Sequence, residues 1–298
     1  MKQVTIEAPA KVNLGLDVIG RRADGYHEIR SVMAMLDLSD RLVVFEDDSQ
    51  ANDYLPGVPG PDNLIRRALT RYRDIAPASA PLGWRIEKRI PAATGLGGAS
   101  ADAAAALFAA NTLAGNPVPM DRLRLLAAEI GSDVPFFLGS PVAIASGRGT
   151  DLEPLPPITG GVILVVPEIS LDAKTRSMYA ALRPKDFGDG TVVGRVTDAL
   201  VRGRIPASSS LRNSFSRAIG EKVPLLPVIW RALDNANIGP FALTGAGPAT
   251  YVLLEGDVDR SEAIQRMKAS LPPEVRIIAT AFRDDPLFAS PNDGTCLA

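Results

Sequence analysis

A glycine-rich segment, IPAATGLGGASADAAAAL at residues 90–107, runs directly into an alanine-rich helical pattern. Gly95, Gly97 and Gly98 permit positive φ angles and close approach to the backbone. The first amides of a helix have no partner within it and carry about half a unit of positive charge, so such a loop favours an anion such as phosphate. A tight corner above a closely packed helix explains the same residues equally well.

The loop differs from two common nucleotide-binding motifs. No Gly-Lys-Ser/Thr follows it, as a Walker A loop requires. Ser100 occupies the place of the last glycine in G-x-G-x-x-G, which argues against a nicotinamide-dependent dehydrogenase. Ser100 is instead expected to cap a helix that runs from about residue 100 to residue 114.

Lysine, asparagine and aspartate interrupt two apolar segments of the chain. Lys11 and Asn13 lie in APAKVNLGL, where strand alternation places both side chains on the same side. Asp133 stands at the start of the apolar run in GSDVPFFL. A lysine that protects an edge strand and an aspartate that caps a helix are both common, so neither segment alone predicts chemistry.

Two further segments carry candidate binding residues. In DGYHEI, the ring of Tyr26 could stack on a base and the imidazole of His27 could bond its edge, although a simple turn explains both residues too. In LTGAGPATY, Gly245 and Gly247 could close on a phosphate, but taken alone they favour a hairpin.

The composition limits the classes of protein to consider. The chain has 298 residues, 46% hydrophobic and 22% charged, so it can bury a globular core. A net charge of −2 argues against a bulk electrostatic site for nucleic acid. The single cysteine, Cys296, excludes an intramolecular disulfide, which fits a cytoplasmic protein. With only one histidine besides, the chain cannot form a zinc site built from several such residues.

No segment predicts contact with a membrane. The first twenty residues alternate polar and apolar side chains and lack the continuous apolar stretch of a signal peptide. The longest apolar run in the interior, VILVV at residues 162–166, is far too short to span a bilayer.

Hydrophobic periodicity predicts the elements that must position these residues. Predicted strands in the first half are QVTIEA, KVNLGLDVIG, residues 29–37, residues 41–46, GWRIEKRI and PVAIAS, and predicted helices are residues 63–75, capped by Asp62 or Asn63, and MDRLRLLAAEI. In the second half, VILVVP and EVRIIATAF read as strands, FALTGAGPATYVLLE as two strands around a glycine turn, and SLDAKTRSMYAAL and DVDRSEAIQRMKASL as helical. A proline- and glycine-rich linker, Leu152 to Gly161, divides the chain into two α+β halves, residues 1–155 and 156–298.

The order and separation of four segments resemble the GHMP family of small-molecule kinases over essentially the whole chain. These segments are PAKVNLGLDVIGRRADGYHEI, PAATGLGGASADAAAAL, GSDVPFFL and TGAGPATY. RADGYHEI is the most specific, because the other branches of the family do not share it. It resembles the segment found in the branch that acts on a cytidine diphosphate-linked methylerythritol. The chain departs from the usual pattern at Ala92, Ala93 and Thr94, where glycines are frequent, and at Thr244 and Ala246, where serines are frequent.

The resemblance implies a fold and a reaction. The fold is a two-domain α+β GHMP kinase fold, with an N-terminal half like the second domain of ribosomal protein S5 and a ferredoxin-like C-terminal half. The reaction uses ATP with Mg²⁺ to phosphorylate the 2-hydroxyl group of the cytidine diphosphate-linked methylerythritol, a step of the non-mevalonate isoprenoid pathway. The implied partner is this small molecule, with no nucleic acid and no membrane, and the oligomeric state, monomer or homodimer, stays open.

The resemblance also implies roles for individual residues. Lys11 and Asp133 would be catalytic, and Asp133 would accept or orient the hydroxyl proton. Asn13, Tyr26, His27 and, with less support, Thr175 would contact the substrate, and Gly245 and Gly247 would form a second loop near the phosphates. No protein ligand to a metal is assigned. The segment that would bind ATP comprises Pro91, Ala92, Ala93, Thr94, Gly95, Leu96, Gly97, Gly98, Ala99, Ser100 and Ala101.

Other functions stay open on the sequence. A GHMP kinase for homoserine, galactose or mevalonate is opposed by DGYHEI. A non-catalytic nucleic-acid-binding protein, suggested by the S5-like half, is opposed by the acidic charge balance.

Overall fold

A computed structural model describes residues 2–46, 63–77, 80–169, 174–256 and 258–286, without the side chains of residues 174–176. Cys296 and Asp62 therefore lie outside the described residues. The described residues form two antiparallel sheets with helices packed on them.

The first sheet is built on two long strands. Its order is β1-β2-β4-β5, and β3 also pairs with β2. Each long strand combines two segments that periodicity predicts as separate strands, because β-bulges, such as the register shift between Pro9 and Lys11, bend the ladder without ending it. The strands are β1 (Gln3–Arg21), β2 (His27–Glu46), β3 (Leu82–Glu87), β4 (Val142–Ser146) and β5 (Asp151–Pro154).

Three α-helices and a 3₁₀ helix (Pro135–Leu138) accompany this sheet, and the helices are α1 (Leu64–Ile75), α2 (Gly98–Leu113) and α3 (Met120–Ile130). The Asn63 side chain caps α1 by accepting from the amides of Ile65 and Arg66, which confirms one of the two predicted caps. The alanines of α2 are mostly buried and let it lie close to β1, β2 and α1.

The second sheet has the order β7-β8-β6-β9. The glycine-turn hairpin is confirmed, since β7 and β8 pair antiparallel. The predicted linker at Leu152 is wrong at its start, because β5 pairs with β4 as far as Pro154. The elements are β6 (Gly161–Pro167), α4 (Lys174–Ala180), α5 (Thr191–Val201), α6 (Ser216–Lys222), α7 (Leu225–Ala236), β7 (Phe241–Leu243), β8 (Thr250–Leu253), α8 (Arg260–Ser270) and β9 (Val275–Ala281), with 3₁₀ turns at Pro184–Asp186 and Ser208–Ser210.

The apolar core runs across the junction of the two halves. One buried cluster joins Val12 and Leu14 of β1 to Leu164 of β6 and Tyr251 of β8. Strand β1 also pairs beyond its own sheet, because Leu16 forms a parallel bridge with Asn213. The division into domains 1–155 and 156–298 stays a prediction.

No helix in the described ranges is long and apolar enough to cross a membrane.

Candidate active site

Lys11 is a buried lysine in the middle of β1. Its side chain is 4% exposed, and its ammonium nitrogen lies 3.4 Å from Oδ2 of Asp133. The same nitrogen donates to Oδ1 of Asn13 at 2.5 Å. The alternation that places Lys11 and Asn13 on one side is therefore confirmed. The alternative of a surface lysine that protects an edge strand is wrong, because Lys11 is buried where β1 packs against α2 and the C-terminal half.

Asp133 lies in the turn before the 3₁₀ helix, where Val134, not Asp133, is the N-cap residue. The N-cap explanation is therefore wrong for this aspartate. Its side chain is 37% exposed while its partner Lys11 is buried. A carboxylate held beside an ammonium and open to solvent can accept a proton from a small molecule, which is the geometry that a general base needs.

The Asn13 side chain is held at both ends. Its Oδ1 accepts from Lys11, and its Nδ2 donates to Oγ of Ser31 at 2.8 Å. The Ser31 hydroxyl donates in turn to the carbonyl of Gly15 at 2.8 Å. Asn13 therefore positions the lysine ammonium, and its predicted contact with substrate stays a prediction.

The glycine loop ends in a helix that begins at Gly98. Its N-cap is Gly97, with a φ of +76° that glycine adopts without strain. The amides of Ser100 and Ala101 both donate to the Gly97 carbonyl at 3.0 Å. The prediction that Ser100 caps the helix is therefore wrong, since Ser100 lies inside the first turn. The helix amides that precede Ser100 have no acceptor within the helix, as at every helix start.

The predicted ATP-binding segment presents backbone more than side chains. Residues 91–97 form the loop and residues 98–101 the first turn of α2. Leu96 and Ala101 point into the core, and the hydroxyl of the buried Thr94 donates to the Pro91 carbonyl at 2.7 Å. Ala93 has a φ of +54°, a left-handed conformation that is uncommon for residues other than glycine. What the loop can offer an anion is therefore mainly its amides.

The second glycine loop, residues 244–249, lies against the first. The Ala249 amide donates to the Thr94 carbonyl at 3.0 Å, and the Thr244 hydroxyl donates to the Gly95 carbonyl at 3.3 Å. The Thr244 hydroxyl also accepts from the Asn13 amide at 3.1 Å. Threonine at this position thus ties the two loops to β1.

Both predicted glycines of this loop are in left-handed conformations, with φ +54° at Gly245 and +75° at Gly247. A Cβ atom on Gly245 would lie 3.5 Å from the Lys11 ammonium nitrogen. The amide of Asn213, a residue that sequence reasoning missed, donates to the carbonyls of Leu243 and Gly245 at 2.9 Å each. The second loop therefore borders the lysine.

Gly97 brings the first loop to the same place. A Cβ atom built on Gly97 would lie 2.8 Å from Cγ of Lys11 and 3.0 Å from Cζ of Phe137. The glycine loop, the second loop, Lys11 and Asp133 therefore meet at one point, as a kinase that transfers a phosphoryl group from a loop-bound nucleotide requires.

His27 and Tyr26 lie at the turn between the two long strands. The His27 ring stacks on Tyr179, with ring centroids 4.6 Å apart and planes 24° apart. Tyr26 is 52% exposed, with the guanidinium carbon of Arg148 5.3 Å from its ring centre. Tyr179, on α4, was missed by the sequence reasoning, although an aromatic residue four positions after Thr175 signals that both lie on one face of the helix.

Tyr179 connects this aromatic group to Asp133. Burial, together with the charge of Asp133, raises the pKa of Tyr179 to about 12, so the phenol stays neutral. Its ring also packs edge-on against Phe215, with centroids 4.9 Å apart. The Thr175 side chain lies outside the described residues, so its predicted contact stays a prediction.

The His27 imidazole should be neutral at pH 7. Burial, and then the charge of Arg21, lower its pKa below the ordinary value. Folding therefore favours the neutral form, and that stabilisation is lost as the pH falls through the lowered pKa. Because His27 is the only histidine, its NMR titration is free of overlap. Tyr179→Ala should raise the pKa towards the ordinary value, whereas Tyr179→Phe, which keeps the stacked ring, should leave it low. Equal pKa values in the two variants would contradict this explanation.

A cavity of about 400 Å³ lies in the C-terminal half. Asn213 lines it, and Trp230 and Phe241 supply aromatic surface. Two of the three cations that line it are paired, Arg217 with Asp186 and Arg212 with Asp17, and the third is Lys185. The cavity includes none of the predicted site residues.

Comparison with known proteins points to one family. Residues 63–140 match the family model for the N-terminal domain of GHMP kinases. Two curated relatives, from Dehalococcoides mccartyi and Thermus thermophilus, are both named 4-diphosphocytidyl-2-C-methyl-D-erythritol kinase. Each is 37% identical, over 271 and 264 residues respectively, and each match covers 88% of this chain and 92% of the relative.

Solved structures share the fold. A crystal structure of 4-(cytidine 5'-diphospho)-2C-methyl-D-erythritol kinase has a TM-score of 0.78 and 35% identity, over 93% of this chain and 98% of the other. A homoserine kinase from Cytophaga hutchinsonii, 17% identical with a TM-score of 0.73, shares the fold alone, over 96% of both chains. The α+β GHMP kinase fold is thus confirmed, and the chain belongs to the GHMP kinase family, in the branch of its 4-diphosphocytidyl-2-C-methyl-D-erythritol kinase relatives.

Proposed function

We propose that the chain transfers the γ-phosphoryl group of ATP to the 2-hydroxyl group of 4-diphosphocytidyl-2-C-methyl-D-erythritol, giving the 2-phosphate and ADP. The relatives' names support the substrate, at identities of 35–37% over most of the chain. The observation that carries the chemistry is the position of Lys11, within 3.4 Å of Asp133 and against Gly97 of the loop.

Phosphoryl transfer requires positioning and charge neutralisation more than covalent help from the protein. The amides of the glycine loop would hold the phosphates of ATP at the start of α2. Asp133 would accept the proton of the 2-hydroxyl group while the oxygen of that hydroxyl group bonds to the γ-phosphorus. The bond from that phosphorus to the bridging oxygen breaks, and ADP leaves with the electron pair.

Lys11 has two tasks in this scheme. Its ammonium orients the Asp133 carboxylate, and it can stabilise the negative charge on the transferred group. Asn13 keeps the ammonium in place through Oδ1. A buried lysine held by Asn13 loses little freedom when substrate binds, so it acts as a preorganised donor.

The residues fit a Mg²⁺ ion that arrives with ATP. No group of three or more acidic, histidine or cysteine side chains in the described ranges forms a metal cage. Mg²⁺ in kinases is held mainly by phosphates and water with one or two protein oxygens, and Ser100, half-buried in the first turn of α2, is the candidate protein ligand. When bound, the ion neutralises charge on the phosphate oxygens.

The turn at Tyr26 and His27 would receive the cytosine end of the substrate. Tyr26 offers an exposed ring for stacking. A neutral imidazole has one donor and one acceptor nitrogen on different sides of its ring, so either one can make a single hydrogen bond to the edge of cytosine, which carries an acceptor and an amino group. Tyr179 would support His27 from behind through their stacked rings.

The direct test is transfer of label from γ-labelled ATP to the cytidine diphosphate-linked substrate, beside homoserine, galactose and mevalonate. We expect label in the first compound alone. Label in one of the others would assign a different GHMP activity. No transfer, together with nucleic-acid binding that weakens steeply with salt, would favour the non-catalytic alternative.

Replacing His27 should affect one substrate only. His27→Phe keeps an aromatic ring on Tyr179 but removes both ring nitrogens. The KM for the cytidine substrate should rise about tenfold, the cost of one lost hydrogen bond, while the KM for ATP stays unchanged. His27→Ala, which also removes the stacked ring, should have the larger effect of the two. An equal rise in both KM values would contradict a cytosine role for His27.

A further inference from the structure

Three charged side chains lie beneath the glycine loop and take no part in the scheme above. Asp40 of β2 and Asp102 of α2 are buried, and the ammonium of Lys88 lies between them. Its nitrogen donates to Oδ2 of Asp102 at 2.6 Å and also bonds Oδ2 of Asp40. We call Asp40, Lys88 and Asp102 the clasp.

The clasp surrounds the point where the loop leaves and rejoins the body of the protein. Oδ1 of Asp40 accepts from the amides of Arg89 and Ile90, at 2.6 and 2.8 Å, where the loop begins. At the other end of the loop, a Cβ atom on Gly98 would lie 3.1 Å from Cγ2 of Ile90 and 3.5 Å from Oδ2 of Asp40. Ile90 and Gly98 thus form a neck, and Asp40 touches both sides of it.

Lys88 connects this neck to the helix. Asp102 lies in the helix four residues after Gly98, and through Lys88 it is tied to Asp40 on the neighbouring strand. The strand, the entry to the loop and the first turns of α2 therefore share one ammonium. Without it, two buried carboxylates would face each other, a costly arrangement.

We propose that the clasp of Asp40, Lys88 and Asp102 positions the loop amides for ATP, so that its loss weakens nucleotide binding without affecting the second substrate. The inference rests on the proposed role of the loop as the ATP site. The clasp residues lie behind the loop and act through it, so they are positioning residues.

The test uses a variant that removes the bridge and leaves no unpaired carboxylate at Asp102. In Lys88→Met/Asp102→Asn, Asp40 retains its two backbone donors, and Met matches the length of the lysine stem. Asp102→Asn keeps the shape of the side chain and removes the negative charge that Lys88→Met would otherwise leave unpaired. The dissociation constant for ATP, measured by calorimetry without acceptor, and the KM for ATP should both rise about tenfold or more. The KM for the cytidine substrate should stay within about threefold.

Two further variants separate the clasp from general stability. Asp102→Asn alone keeps an oxygen for Lys88 and should bind ATP within about threefold of the wild type. In Asp102→Ala, Lys88 keeps its contact with Asp40 but loses its contact with α2, so the affinity for ATP should fall about tenfold. This variant tests the proposal if the double variant does not fold. Arg71→Met, which breaks the exposed pair with Glu129 between α1 and α3, is the matched control and should leave both KM values unchanged.

The inference is overturned if a folded bridge-free variant binds ATP within about threefold of the wild type, or if both KM values rise together. A wild-type protein that binds no ATP would overturn the proposed function itself, and the inference with it. Binding by the wild type with no loss in the variants overturns the inference alone.

Discussion

Asp133→Asn should lower kcat by about a hundredfold to ten-thousandfold, the range for loss of a general base. The amide keeps the shape of the side chain and its contact with Lys11, but it cannot take the proton of the hydroxyl group. Binding of ATP should survive, because the glycine loop is unchanged. The measurements are kcat, the dissociation constant for ATP, and circular dichroism to verify the fold.

Lys11→Met should cost a comparable factor, because it removes the ammonium 3.4 Å from Asp133 that orients the carboxylate and stabilises charge on the transferred group. Residues that act as one unit are strongly non-additive, so the double variant should be scarcely worse than either single variant. Asp121→Asn is the matched control, since this exposed aspartate on α3 pairs with Arg124. It should retain the wild-type kcat.

Two results would contradict this assignment in different ways. If Asp133→Asn keeps most of its kcat, Asp133 is not the base. If the losses of the single variants multiply in the double variant, Lys11 and Asp133 act independently, and Lys11 belongs with the phosphate-binding groups.

Gly97→Val should lower kcat/KM by about a hundredfold or more, because a displacement of about 1 Å at a reacting group has that effect. Its Cβ atom would lie 2.8 Å from the stem of Lys11, and the lysine is enclosed by Asn13, Gly97 and Gly245. The dissociation constant for ATP should also rise, since valine is strained at a φ of +76° and the loop must shift.

Gly115→Val separates strain from contact. Gly115 lies just beyond the other end of α2 with a φ of +82°, and a Cβ atom there would meet nothing within 4 Å. Both variants should lose about 1–2 kcal/mol of unfolding free energy through the strained backbone. Only Gly97→Val should lose activity and ATP binding. Unchanged ATP affinity in a folded Gly97→Val protein would contradict the phosphate-binding role of the loop.

The elements were more predictable than the way they join. Alternation in β1 placed Lys11 and Asn13 on one side, and the structure confirms it through their hydrogen bond. Apolar and polar periodicity depends on local geometry, which short windows of sequence contain. A β-bulge depends on how two strands pair, which a short window of sequence does not contain. The sequence therefore could not show that residues 29–37 and 41–46 belong to one strand.

The site depended on information of longer range. The approach of Lys11 to Asp133 was expected from family resemblance, since each residue alone has an ordinary explanation. The helix begins at Gly98 and not near Ser100, because Gly97 adopts a left-handed conformation and serves as the N-cap. This backbone conformation outweighs the capping preference of serine. Asn213 and Tyr179 escaped notice because their roles depend on partners far away in sequence, at Gly245 and His27.

The contacts of the Thr244 hydroxyl also indicate the order in which parts of the site can form during synthesis of the chain. It meets the amide of Asn13 across 231 positions of sequence. At about 5–20 residues per second, a ribosome would deliver Thr244 roughly ten to fifty seconds after Asn13. Lys11 and Asp133 are both synthesised earlier and can come into contact before that time. The Gly95 carbonyl can accept its hydrogen bond from the Thr244 hydroxyl only after Thr244 has been synthesised. The nascent chain thus contains Lys11 and Asp133, the proposed catalytic pair, before Thr244 can join the two glycine loops.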